Sequence, residues 1–237
     1  MNDMGRRREF PPPRYIDAPQ VYASTGTTGA TTSQTYVAGV LASEIATFAA
    51  GSSSLSETKS YTKGVLTRDT IVHADGSKDV FIYNVENQSY VSEHDSYNAA
   101  GILTSTVRTH TDDTLAFSYT IAPNGTKTTD FYDASGNLTS DSIVRADSFS
   151  ETKTYAAGVI TGDTIRYAPG GTDISDAKVY TAGILTSDTV VHADKSRDLY
   201  LSNIQNKTYV AEHDSYNAAG ILTSTVRAHT DGSLDYS

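Results

Sequence analysis

The chain of 237 residues has no cysteine and no tryptophan. Without cysteine there are no disulfide staples and no cysteine–metal sites. Charged residues are only 19% of the chain and the aliphatic share is modest, so one deep globular core is not expected. Basic residues number 18 against 28 acidic ones, for a formal charge of −10. Phosphate binding needs clustered Lys and Arg, so a nucleic-acid partner is excluded. The acidic balance favours solubility and is compatible with cation binding. No stretch approaches the roughly 18 apolar residues that span a membrane as a helix. Arg6, Arg7 and Arg8 are followed by Glu9 and Pro11–Pro12–Pro13. A secretory signal would continue into an apolar run of about 7–15 residues. An extracellular or cell-surface location would therefore require a non-classical route or a signal outside this chain.

What is present is repetition. Tyrosine is abundant at 16 residues, set among Thr, Ser and Ala, a mixture that suits half-solvated strands. One pattern recurs seven times: Tyr, two or three residues, Gly, one further position, then Leu or Ile. The anchors are Tyr36 with Gly39, Tyr61 with Gly64, Tyr97 with Gly101 and Tyr132 with Gly136. Tyr155 with Gly158, Tyr180 with Gly183 and Tyr216 with Gly220 complete the set. Each Gly is placed where the chain must turn, and each Leu or Ile opens an extended run such as Leu66 to His73. A second bend, rich in Asp, follows at His73-Ala74-Asp75-Gly76, at His110-Thr111-Asp112 and again at Asp194 and Asp231.

The spacings between Tyr anchors are 25, 36, 35, 23, 25 and 36 residues. A short interval fits two strands and a long one three, the extra strand after Tyr61 being Tyr90 to Asp95. An odd number of strands carries the next Tyr–Gly bend to the opposite edge of the array. The bends at Tyr97 and Tyr216 are therefore expected on one edge, and those at Tyr61, Tyr132, Tyr155 and Tyr180 on the other.

Residues 57–118 match 176–237 at a constant offset of 119, and Glu93–Arg108 is identical to Glu212–Arg227. Ser237 stands where Ser118 stands in the first copy, so a truncated last unit is expected. The predicted fold is all-β: a tandem β-hairpin repeat array over 36–237, as a curled meander, spiral strip or β-solenoid, held by unit-on-unit contact. Residues 1–35, rich in Pro, Thr and Gly, are expected to be a flexible leader. Uncapped end strands invite self-association.

Catalytic signals are thin. In Glu93-His94-Asp95, repeated at Glu212-His213-Asp214, adjacent strand residues point to opposite faces, so the His cannot share a face with both acids. A solvated strand is the preferred reading there. Asp75, Asp112, Asp194 and Asp231 are accounted for by caps on their own backbone. Calcium in those turns is the lesser alternative, because the ligand spacing of an EF-hand loop is missing. Exposed Tyr rows could stack sugars, but Tyr at strand ends more often packs.

Tyr132-Asp133-Ala134-Ser135-Gly136-Asn137-Leu138-Thr139 resembles the YD repeat of Rhs-type bacterial proteins, whose hairpins string into a strip that wraps into a shell. Thr70 to Asp79 is similar to repeats of very large exported bacterial proteins. Such proteins also carry haemolysin-type calcium-binding (RTX) repeats or polysaccharide-active domains. The resemblance implies a non-catalytic stalk, spacer or adhesive surface of an exported surface or matrix protein. The alternative is a carbohydrate-binding accessory module of a polysaccharide-processing enzyme. The partner would be a polysaccharide or another protein, and no cofactor is expected.

Overall fold

A computed structural model describes residues 19–25 and 30–237. The described residues form nineteen strands and no helix, so none of them builds a helix long and apolar enough to cross a membrane. The chain divides into two compact units, residues 1–76 and 77–237.

The first unit holds β1 (Gln20–Thr25), β2 (Thr31–Val37), β3 (Val40–Thr47), β4 (Ser54–Thr62) and β5 (Val65–His73). Each strand runs antiparallel to the one before it. Residues 20–25 and 31–35, which the sequence placed in a flexible leader, are thus strand. Alternation explains it: Gln20, Tyr22 and Ser24 share one face and Val21 and Ala23 the other, and all of β1 finds partners on β2. The Pro11–Pro13 run lies outside the described residues.

The second unit begins with β6 (Lys78–Tyr83), β7 (Ser92–Tyr97), β8 (Leu103–Thr109), β9 (Leu115–Ile121) and β10 (Lys127–Tyr132). It continues through β11 (Leu138–Val144), β12 (Ser150–Ala156), β13 (Val159–Arg166), β14 (Asp173–Thr181) and β15 (Ile184–His192). β16 (Arg197–Leu201), β17 (Ala211–Tyr216), β18 (Leu222–Ala228) and β19 (Leu234–Tyr236) complete it. Within each unit every strand touches only the strands before and after it in the chain. Of the three expected forms the β-solenoid is excluded, and the connectivity is that of a meander. A solenoid would stack successive coils in parallel, whereas the pairings here are antiparallel.

Within each unit the described strands contribute no second layer over either face. Val80 is the one hydrophobic side chain buried among the described residues. β12 shows how the sequence manages this. Glu151, Lys153 and Tyr155 point to one face, Ser150, Thr152 and Thr154 to the other, so each face is half apolar stem and half polar head. Stability must come from cross-strand pairs, at about 0.2–1 kcal/mol each, repeated along the sheet.

Candidate functional site

All seven Tyr–Gly elements are bends between consecutive strands, and each adds a feature that sequence reading missed. The Tyr faces the Leu or Ile that opens the next strand, as in Tyr36 with Leu41, Tyr97 with Leu103 and Tyr180 with Leu185. One residue of the incoming strand bulges out just after that Leu or Ile. In six bends the bulged residue is Thr67, Thr104, Thr139, Thr161, Thr186 or Thr223, whose hydroxyl donates to the carbonyl preceding the Tyr at 2.9–3.2 Å. Ala42 holds the seventh position. The signal was available: Leu or Ile followed by Thr recurs after the Gly.

The bends come in two lengths. At Tyr36, Tyr61, Tyr155 and Tyr180 two residues turn the chain, both with positive φ, as in Ala182 (49°) and Gly183 (78°). That is a type I′ hairpin. At Tyr97, Tyr132 and Tyr216 the turn is longer, and Asn98, Asp133 or Asn217 caps it. The side-chain oxygen accepts two backbone N–H bonds, from Ser135 and Asn137 in the case of Asp133. Asn and Asp therefore do one job at this position. Within 77–237 the bends at Tyr97 and Tyr216 follow β7 and β17, those at Tyr132, Tyr155 and Tyr180 follow β10, β12 and β14. Antiparallel pairing sends these two groups to opposite ends of the strands, as the spacings required. Tyr36 and Tyr61, after β2 and β4, share an end of the first unit.

The Asp-rich turns are capped in the same economical way. One carboxylate oxygen of Asp112, Asp194 and Asp231 accepts both the backbone N–H and the hydroxyl of the residue two further on. These bonds, the hydroxyl's first, hold the three carboxyls below the ordinary aspartate value. Asp75 lies in the turn after β5, where Gly76 N–H donates to His73 O at 3.0 Å. Among the described residues no three acidic or His side chains converge to hold a metal ion.

Charge is organised in rows across the strands. In the second unit Asp141, Lys153, Asp163, Lys178 and Asp188 face one another on successive strands β11 to β15. In the first unit Glu44, Lys59 and Asp69 do the same on β3 to β5. Each lysine also pairs with the acid two residues before it: Glu57, Glu151 or Asp176. Burial first, then the neighbouring Asp176, pushes Asp188 up to about 6. Burial and Glu57 do the same to Asp69, which reaches about 6. The Tyr155 hydroxyl, donating to Asp141 at 2.7 Å, is pushed up to about 12 by that bond and by burial.

The lysine face of the second unit also carries His94, His192 and His213. His192 Nδ1 is 2.7 Å from Asp173 Oδ1, and its Nε2 is 2.9 Å from Asp198 Oδ2. Asp198 Oδ1 meets His213 Nε2 at 3.0 Å and accepts from Ser215 Oγ at 2.6 Å. Burial opposes ionisation of Asp198, but hydrogen bonds from Ser215, His192 and His213 prevail and bring it down to about 2. The rings of Tyr200 and His213 stack at 4.2 Å, as do Phe81 and His94. His94 repeats the pattern with Asp79 and Ser96.

Ser215, His213 and Asp198 do not form a nucleophile relay. A base holds its nucleophile with one ring nitrogen and its carboxylate with the other. Here Asp198 and Ser215 crowd the same nitrogen, and the hydroxyl gives its hydrogen bond to the carboxylate. Glu93, His94 and Asp95 split between faces as expected, and they are half-buried rather than fully solvated. Glu93 is tied to Arg108 and Asp95 accepts from Thr106 at 2.7 Å on the threonine face. In the second copy Asp214 is buried against Thr225. Cross-strand partners, invisible in a linear reading, cover them.

The recesses are shallow. One of about 170 Å³ is lined by Tyr200, Glu212, His213 and Val226. No protein-family model and no curated protein matches the chain. Among solved structures the chain is similar to a porin-like protein from Bacteroides uniformis ATCC 8492, at 15% identity over 92% of each chain. The TM-score is 0.19, too low to bear on fold or role.

Proposed function

We propose that this chain is a non-catalytic repeat segment, a spacer or interaction surface of an exported surface or matrix protein. The supporting observation is that, within each unit and among the described residues, each strand is held by its sequence neighbours alone, with Val80 the one buried hydrophobic side chain. Such a sheet lengthens strand by strand without rebuilding a core, which suits a spacer. The histidine, acid and serine groups are consumed in pairing across strands, which supports a non-catalytic role.

A glycan-binding module would be better served by aromatic rings in line on one face. The Tyr anchors are half-buried, and Tyr97 and Tyr216 bond acids of the threonine face, while Tyr155 bonds Asp141 on the lysine face. The spacer reading is therefore preferred. Stretching the full chain by its ends should release it in a series of small steps, one hairpin at a time. One all-or-none rupture, or release of product from any polysaccharide in a panel, would overturn the reading.

A further inference from the structure

The histidine-bearing copies differ at one informative place. Ser54 of the first stands 119 residues before Asp173 of the second. In the first copy Ser54 Oγ lies 3.5 Å from His73 Nδ1. In the second a carboxylate oxygen lies 2.7 Å from His192 Nδ1, while Asp198 sits 2.9 Å from Nε2. A neutral imidazole has one N–H, and its other nitrogen is an acceptor. Both contacts of His192 are hydrogen bonds when the ring is an imidazolium. Deprotonation turns one of them into a lone pair facing a carboxylate.

We propose that His192 is a proton-loaded clamp: when protonated it ties β14, β15 and β16 together through Asp173 and Asp198. Through the second oxygen of Asp198 the clamp extends to His213 on β17. The four-strand segment is tightened in mildly acidic surroundings and loosened as the pH rises. This goes beyond the spacer reading and does not depend on it.

The groups around the ring favour the charge. Asp173 faces it from β14 and Asp198 from β16. Asp194, in the following turn, adds a third negative charge, with one oxygen occupied by Ser196. Lys195 is exposed in that turn, and Arg197 lies over the Tyr216 ring at 4.4 Å. His213 shares Asp198 rather than approaching His192 directly, and Ser215 donates to the same oxygen. Hydrogen bonds to Asp173 and then Asp198 raise His192 above the ordinary histidine value. A raised folded-state value means the stabilisation is complete below the unfolded histidine value of about 6.5 and is lost as pH climbs through the folded one.

The test uses the full chain. Side-chain ¹⁵N NMR would follow His192 while thermal unfolding is recorded at about pH 5.5 and about pH 8, on either side of ordinary histidine titration. Both ring nitrogens should carry protons at the lower pH. Asp173→Ser rebuilds the first copy's arrangement, and should lower the His192 midpoint and shrink the gain in Tm between the two conditions. Asp173→Asn, which keeps the shape without the charge, should act in the same direction and serves if the Ser variant does not fold. An unchanged His192 midpoint and an unchanged Tm difference in the folded variants would overturn the clamp, as would a wild-type ring singly protonated at about pH 5.5.

Discussion

The Thr186 hydroxyl donates to the backbone carbonyl of Val179 at 3.1 Å, seven residues back and directly before the Tyr180 bend. It fastens the bulged strand to the one it leaves, and five other bends repeat it. A neutral hydrogen bond of this kind contributes about 0.5–1.5 kcal/mol. Replacing Thr104 or Thr161 by Val should therefore lower stability by roughly that amount. Ala42→Thr should raise it, because Ala42 occupies the one Tyr–Gly bulge without a hydroxyl. Thermal unfolding of the three variants checks both directions, and a destabilising Ala42→Thr would refute the staple.

Gly183 and Gly158 form a matched pair. Both have positive φ, 78° and 76°, but an added Cβ would lie 3.2 Å from Val159 Cγ1 at Gly183 and meet nothing within 4 Å at Gly158. Gly158→Ala should cost the backbone strain alone, on the order of 1 kcal/mol. Gly183→Ala should cost more, and Val159→Ala in the same background should recover the excess. Equal losses at the two sites would show that Val159 yields freely.

The carboxyl of Asp188, raised to about 6, gives stability its own pH dependence. A raised aspartate contributes fully below its unfolded value of about 4 and the contribution is lost as pH rises through the folded one. Asp198, lowered to about 2, works the other way and loses its contribution as pH falls from about 4 toward that value. These two groups together place their best combined stability near pH 4, to about a unit. Asp188→Asn should stabilise the chain at neutral pH, by an amount on the order of 1 kcal/mol, and flatten the decline between about pH 4 and pH 7. Unfolding free energies across that range decide it, and an unflattened profile counts against the assignment.

Tyr155→Phe removes the 2.7 Å bond to Asp141. The loss should be about 1 kcal/mol. The wild type should show one phenol ionising late, near 12, that the variant lacks. Ultraviolet titration of both proteins would reveal its absence.

The bends were legible because Gly and Tyr mark them at fixed distances, and counting strands between them foretold which of the bends within 77–237 share an end. The pairing of Lys153 with Asp163 was not. It depends on the single-residue bulge at Thr161, which shifts everything beyond it by one place. The partners of Asp214 and Glu212 were hidden for the same reason, so two of the most sheltered acids looked like solvated ones. The Ser54 and Asp173 difference lies just outside the matched copies and acquires meaning only once both are seen beside a histidine.

From β7 to β17, where Tyr97 and Tyr216 stand at equivalent bends, the chain advances ten strands. Ten is even, so a duplicated block rejoins the ladder heading the same way and showing the same side. Copying nine would have inverted the newcomer, sending Tyr216 to the far end and exchanging its lysine side for its threonine side. A copy that keeps both its direction and its side must therefore span an even number of strands, a parity rule set by geometry.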